Sequence, residues 1–241
     1  MKIAICILVG DNDNYYQFTE LLNNLENNTG IDAQYYIFDN ESKDERIHNH
    51  LLRLDVNKYT INLSSKVSKA KALNYLINAC KEKYLCIVPI NYLVNKMWLE
   101  DLYYNYRNCP DAGVISIRNG FEKIFISPVM FHNELNQEVL KNVWVSNNGS
   151  VEGLLFFDKE KFKTYYDENL NAVNCEDIDF TFNCFCQGYQ NFYITGQNAI
   201  RLTFAKNKNY VEKKKSDLEI VNKKWNEIIK RNIINEEYEY T

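Results

Sequence analysis

Ile3-Ala4-Ile5-Cys6-Ile7-Leu8-Val9 is apolar at every position and is followed at once by Gly10-Asp11-Asn12. A run without polar alternation suits a strand covered on both faces, and such strands belong to parallel sheets packed between helices. The residues that follow keep the rhythm this demands. Phe18, Leu21, Leu22 and Leu25 fall at helical spacing and stop at Asn27-Asn28-Thr29-Gly30. Gln34 to Phe38 reads as a second strand, turning at Asp39-Asn40-Glu41-Ser42. Ile47, Leu51 and Leu52 predict a short helix, and Tyr59 to Leu63 a strand. Val67, Ala70, Asn74, Ile77 and Ala79-Cys80 share one predicted helical face, followed by a strand from Tyr84 to Val88. Leu99, Leu102, Tyr103 and Tyr106 predict another helix before the strand Ala112 to Ile117. Alternation of this kind predicts an α/β fold, a mostly parallel sheet with helices on both faces. Ligands in such sheets sit beyond the C-terminal strand ends, which directs attention to three turns: Gly10-Asp11, Asp39-Asn40 and Pro89-Ile90-Asn91.

The second half changes character. Lys123 to Phe131 and Gly153 to Asp158 read as strands, joined by an irregular polar stretch through Asn147-Asn148-Gly149-Ser150. Glu176 to Gln187 predicts a helix with Ile178, Phe182 and Phe185 on its apolar face, capped by Gly188. Phe192 to Thr195 and Ala199 to Phe204 suggest short strands. Ser216 to Arg231 is a final amphipathic helix built on Leu218, Val221, Trp225 and Ile228. The expected division is residues 1–205 as the α/β domain and 206–241 as a C-terminal helical extension.

Composition narrows the function classes. With 241 residues and 46% apolar content, the chain suffices for one α/β domain with a sizeable core. A net charge of −4 gives no electrostatic case for nucleic acid. Seven cysteines form no Cys-x-x-Cys pair, which argues for reduced thiols and a cytoplasmic location. No apolar stretch approaches the roughly 20 residues that a membrane span needs, so any membrane association is expected to be peripheral, at the inner face. His48-Asn49-His50 is expected to be a pair of surface histidines, and no Gly-rich phosphate loop or nucleophile turn is present.

Asn174-Cys175-Glu176-Asp177-Ile178-Asp179-Phe180-Thr181-Phe182 sets three carboxylates at the start of a helix. Acidic residues in a first turn interact favourably with exposed N–H groups, so capping alone would account for some of them. Taken with the first strand, with Phe38-Asp39-Asn40-Glu41-Ser42-Lys43-Asp44, with Gly153-Leu154-Leu155-Phe156 and with Gly188-Tyr189, the stretch resembles the family 2 glycosyltransferases. The resemblance covers about residues 2 to 205 and implies the GT-A fold. It implies an inverting enzyme that moves a sugar from a UDP- or GDP-linked donor to a glycan, lipid-linked or protein acceptor.

By the same resemblance Asp177 is the catalytic base, with Glu176 beside it. Asp39 matches the first Asp of the family's Val-Asp-Asn-Gly-Ser-Thr-Asp and would hold the nucleoside together with Val9, Gly10 and Asp11. Asn74 matches an Asn of the family's helix before the metal motif, although Ser68 and Leu73 stand where Gly and Arg are frequent, and Asn183 where Arg is common. Where the family carries its metal-binding Asp-x-Asp, this chain has Pro89-Ile90-Asn91, and Arg201 lies near the place of a late His. Carboxylates are the usual protein ligands for Mg2+ and Mn2+, so little or no metal dependence is expected. A cation from the chain, Arg201, Lys69, Lys71 or Arg118, would then meet the diphosphate at the donor site that also includes Asn91. The degenerate motif also suits an inactive relative acting as a binding subunit for a partner glycosyltransferase or in a homo-oligomer.

Overall fold

A computed structural model gives the fold and describes residues 1–10, 13–117, 126–128, 143–146, 151, 153–170, 175–194, 200–201, 212–213 and 215–227. In chain order the first elements are β1 (Ile3–Val9), α1 (Tyr15–Asn28), β2 (Ala33–Asn40), α2 (Glu45–Leu51), β3 (Tyr59–Ser64), α3 (Lys69–Ala79) and β4 (Tyr84–Ile87). Then come β5 (Tyr92–Leu93), α4 (Trp98–Asn108), β6 (Ala112–Ile117), β7 (Ile126–Pro128), β8 (Val143–Ser146) and β9 (Leu155–Asp158). They are followed by α5 (Glu176–Cys186), β10 (Gln190–Ile194) and β11 (Ile200–Arg201), with residues 215–227 helical beyond them.

One sheet has the order β3-β2-β1-β4-β9-β6-β10-β8-β7, and β11 pairs with β5 in a second. Strands β1 to β4 run parallel. β9 is antiparallel to both β4 and β6, and β8 is antiparallel to β10 and β7.

The continuous apolar run of β1 feeds two cores. Ile3, Ile5, Ile7 and Val9 pack with Phe18, Leu21 and Leu25 of α1, Ile47 of α2 and Trp98 and Leu102 of α4. Ala4 and Cys6 face the other way, toward Ala70, Leu73 and Leu76 of α3 and Phe180 and Cys184 of α5. Burial on both faces is why no polar alternation appears in the sequence. Side-chain caps start three of the helices: Asn14 accepts from Gln17 N–H, Asp44 from Arg46 N–H and Ser68 from Lys71 N–H.

Four expectations need correction. The apolar face of α5 is Phe180 and Cys184 against the sheet, with Ile178 and Phe182 against residues 215–227, while Phe185 is exposed. That helix is covered from two sides, and a single-stripe reading misses the split. The face of α3 includes Ala72, Leu73 and Leu76, and Ala79 is exposed. Within the stretch expected to be irregular, Val143–Ser146 forms β8. Of the expected strand Lys123 to Phe131, only Ile126–Pro128 falls among the described residues. His50 also departs from expectation: it is half-buried, edge-on to Tyr15 and Phe18, with Nδ1 3.3 Å from the Tyr15 hydroxyl.

Candidate functional site

The parallel register sets the strand ends side by side. Val9 lies opposite Asp39, and Asp39 and Asn40 lie opposite Leu63 and Ser64. Asp39 is buried, and its Oδ1 accepts from the Ser42 N–H at 2.8 Å, closing the turn after β2. Glu41 takes a left-handed φ of 60° at the position matching the family's glycine. A cleft of about 580 Å³ opens here, lined by Asp39, Ser42, His48, Asn49, Leu63 and Ser64 among others. The Ser42 hydroxyl is buried with no hydrogen-bond partner among the described residues. The Gly10 N–H donates to Asp13 Oδ2 at 2.7 Å; Asp11 lies outside the described residues.

Asn40 shapes the next loop. Its amide donates to the Val67 carbonyl at 3.0 Å and accepts from the Val67 N–H at 2.8 Å, imitating a strand pair. The chain is thereby held two residues before Lys69, the first residue of α3. From there Lys69 Nζ reaches Glu176 Oε2 at 3.2 Å.

The three carboxylates at the start of α5 have three different surroundings. Glu176 is buried, and its carboxyl is pushed up to about 7. Burial is the main cause; Lys69 opposes it and the neighbouring Asp177 adds to it. Asp179 is buried too, but its two oxygens take Lys224 Nζ at 2.7 and 2.9 Å and the Trp225 indole N–H at 2.8 Å. Asp177 alone of the three is half-exposed, its Oδ2 accepting from the Gly153 N–H at 3.3 Å. Gly153 has a φ of +93°, and a Cβ there would collide with the Tyr92 hydroxyl. Tyr92 follows Asn91, closes the turn by donating its N–H to the Pro89 carbonyl at 3.1 Å, and pairs in register with Arg201. A chain of contacts thus runs Lys69–Glu176–Asp177–Gly153–Tyr92 and ends beside Asn91 and the Arg201 backbone.

The structure therefore sets Val9, Gly10 and Asp39 at one part of the strand ends and Glu176 and Asp177 at another, linked through Gly153 to Tyr92, which follows Asn91 and pairs by its backbone with Arg201. Asn74 is placed differently. Its amide donates to the Tyr166 carbonyl and to Glu168 Oε1, both at 2.9 Å, and accepts from the Tyr166 N–H at 3.1 Å. It anchors the loop that buries Tyr166. Lys71 stands beside the Tyr75 ring, 5.8 Å from its centroid, and Arg118 lies outside the described residues.

Pro89 and Asn91 put no carboxylate in the turn after β4, and among the described residues no three His, Cys, Asp or Glu side chains converge. Among the described residues the donor set does not fit a divalent metal. Sequence reading missed the partners that separate the three acids, Lys224 and Trp225 above all. Trp225 at a core position of an amphipathic helix was the available signal, but nothing local says which carboxylate it meets.

By sequence, no family model and no curated protein matches the chain. By structure it is similar to GalNAc-T7 solved with UDP, GalNAc and Mn2+: TM-score 0.66 at 12% identity, covering 88% of this chain and 47% of that one. It is also similar to the mannosyltransferase PcManGT from Pyrobaculum calidifontis with GDP-Man and Mn2+ (TM-score 0.60, 15% identity, 84% and 58%). A third is S. aureus TarS residues 1–349 (TM-score 0.56, 15% identity, 83% and 59%). The chain spans about half to three fifths of the length of these proteins. Identities this low speak to architecture alone, and with the helix-covered, largely parallel sheet of this chain they show a GT-A-like α/β fold.

Proposed function

We propose that this chain is an inverting glycosyltransferase of the family 2 type, using a UDP- or GDP-linked sugar without a bound divalent metal. The observation that carries the reading is the separation of three adjacent acids. Asp179 is consumed by Lys224 and Trp225 and Glu176 is buried against Lys69, which leaves Asp177 half-exposed at the strand ends. A half-exposed carboxylate can meet an acceptor hydroxyl, whereas one buried against a cation or an indole cannot. Structures of the same fold hold UDP, UDP-GlcNAc and GDP-Man, which supports a nucleotide-sugar donor.

In this mechanism Asp39, Val9 and Gly10 receive the nucleoside, with Asp11 following in the same turn. The sugar's anomeric carbon then lies toward Asp177. As Asp177 takes the proton, the acceptor oxygen attacks that carbon from the face opposite the diphosphate. The bond to the phosphate oxygen breaks with its electron pair leaving on the nucleoside diphosphate. A positioned base of this kind contributes roughly 10²–10⁴ in rate. The acceptor is a glycan, lipid-linked or protein hydroxyl, the site of action cytoplasmic, and residues 206–241 form a C-terminal extension, of which 215–227 pack on α5.

The test is release of nucleoside diphosphate from a panel of UDP- and GDP-sugars by the wild type and by Asp177→Asn. The substitution should remove turnover while circular dichroism and donor binding persist. Unchanged turnover in Asp177→Asn would sink the assignment.

A further inference from the structure

A departing diphosphate gathers negative charge, and the turn at Pro89-Ile90-Asn91 offers none of the opposite sign. Compensation has to come from basic side chains near the same strand ends, and Lys69 is linked to them through Glu176, the neighbouring Asp177, Gly153 and Tyr92. It is held on a fixed base. Its helix begins on the Ser68 cap, and the preceding residue pair is tied to Asn40 through both polar atoms of Val67. Only the flexible stem is left to move, and the side chain keeps 43% of its surface exposed while the Glu176 carboxylate it touches keeps 6%. The ammonium is therefore half-exposed and bridges to a buried carboxylate.

We infer that Lys69 is the cation of the diphosphate site: it leaves Glu176 for the phosphate oxygens when a nucleotide donor binds. This rests on reading the cleft as a donor site. The exchange has a proton consequence. With Lys69 gone, the charged and titratable groups facing Glu176 among the described residues are Asp177 from its own helix and the buried Tyr166 phenol, and neither offers positive charge. A buried carboxylate left unpaired takes a proton instead, here from solvent, and no covalent bond changes. Burial already holds the Glu176 carboxyl near 7 with Lys69 in place, so the uptake occurs at and above neutral pH.

Titration calorimetry with UDP, GDP, UMP and GMP in the presence of EDTA tests both parts. Wild type should prefer the diphosphate over the matching monophosphate by about tenfold or more, the worth of one charge-assisted contact. Lys69→Met should lose that preference while keeping its affinity for the monophosphate, and Lys69→Arg should restore most of it. At about pH 8, binding enthalpies in buffers of different ionisation heat should report net proton uptake by wild type and none by Glu176→Gln. A preference intact in Lys69→Met overturns the assignment of Lys69 while leaving the donor site standing. Diphosphate binding without proton uptake overturns the exchange. Failure of wild type to bind any of the four nucleotides removes the donor site itself, and the inference with it.

Discussion

Glu176 holds its proton to about 7 in the fold because of burial, whereas an unfolded chain releases it near the ordinary 4.5. Between those values the folded state binds more protons, so this group's contribution falls as pH rises through the window. Glu176→Gln removes the dependence. Its stability relative to wild type should rise between about pH 5 and 8, by up to about 3 kcal/mol, measured by urea unfolding at both. A difference that stays constant would show the carboxyl is not held this way. Backbone conformation makes a second residue-scale expectation. Met97 has a φ of 62° and is 59% exposed, so its side chain contributes little to offset the left-handed conformation. Met97→Gly should raise the melting temperature by roughly 1–3 °C, and Met97→Val should lower it. The sequence shows Glu176, Asp177 and Asp179 as one acidic group, and that much was legible. Their division was not, because it is made by Lys69, Gly153 and Lys224, each far along the chain from the acids it sorts.

Helix α5 is covered twice, by the sheet through Phe180 and by residues 215–227 through Cys175, Ile178 and Phe182. Asp179 fastens the second contact, its carboxylate almost wholly buried between Lys224 and Trp225. Breaking one side of a buried pair costs about 3–5 kcal/mol. Asp179→Ala should lose about that much in denaturant unfolding, and Trp225→Phe, which removes one donor, about 1–3 kcal/mol. If Asp179→Ala costs under about 1 kcal/mol, the clamp is not formed in solution. Helix existence and position were readable from periodicity here. Which face meets which neighbour was not, since a helix between two apolar partners shows a broad stripe rather than a resolved one.

The parallel half, β1 to β4, was legible because each strand is a local apolar run followed by a helix that must return the chain. β9, antiparallel between β4 and β6, and β8 were not legible in that way: their pairing is with strands distant in sequence, and short runs carry no sign of direction. Residues 215–227 cover Cys175, Ile178 and Phe182, so removing 206–241 should bare an apolar patch beside the acids. Light scattering and melting of the truncated chain should show association and lowered stability; a monomer of unchanged melting temperature would mean that the extension is dispensable to the fold. For the donor site, the decisive measurement is the melting temperature of wild type and Asp39→Ala against UDP, GDP and their sugar conjugates, each with Mn2+ and with chelator. Saturation at a hundred times the dissociation constant stabilises by about 2.7 kcal/mol, a readily measured shift. A shift with one nucleotide family that survives chelation and is lost in Asp39→Ala is the expected result. A shift that appears only with Mn2+, or silence across the whole panel, would contradict a metal-independent donor site at these strand ends.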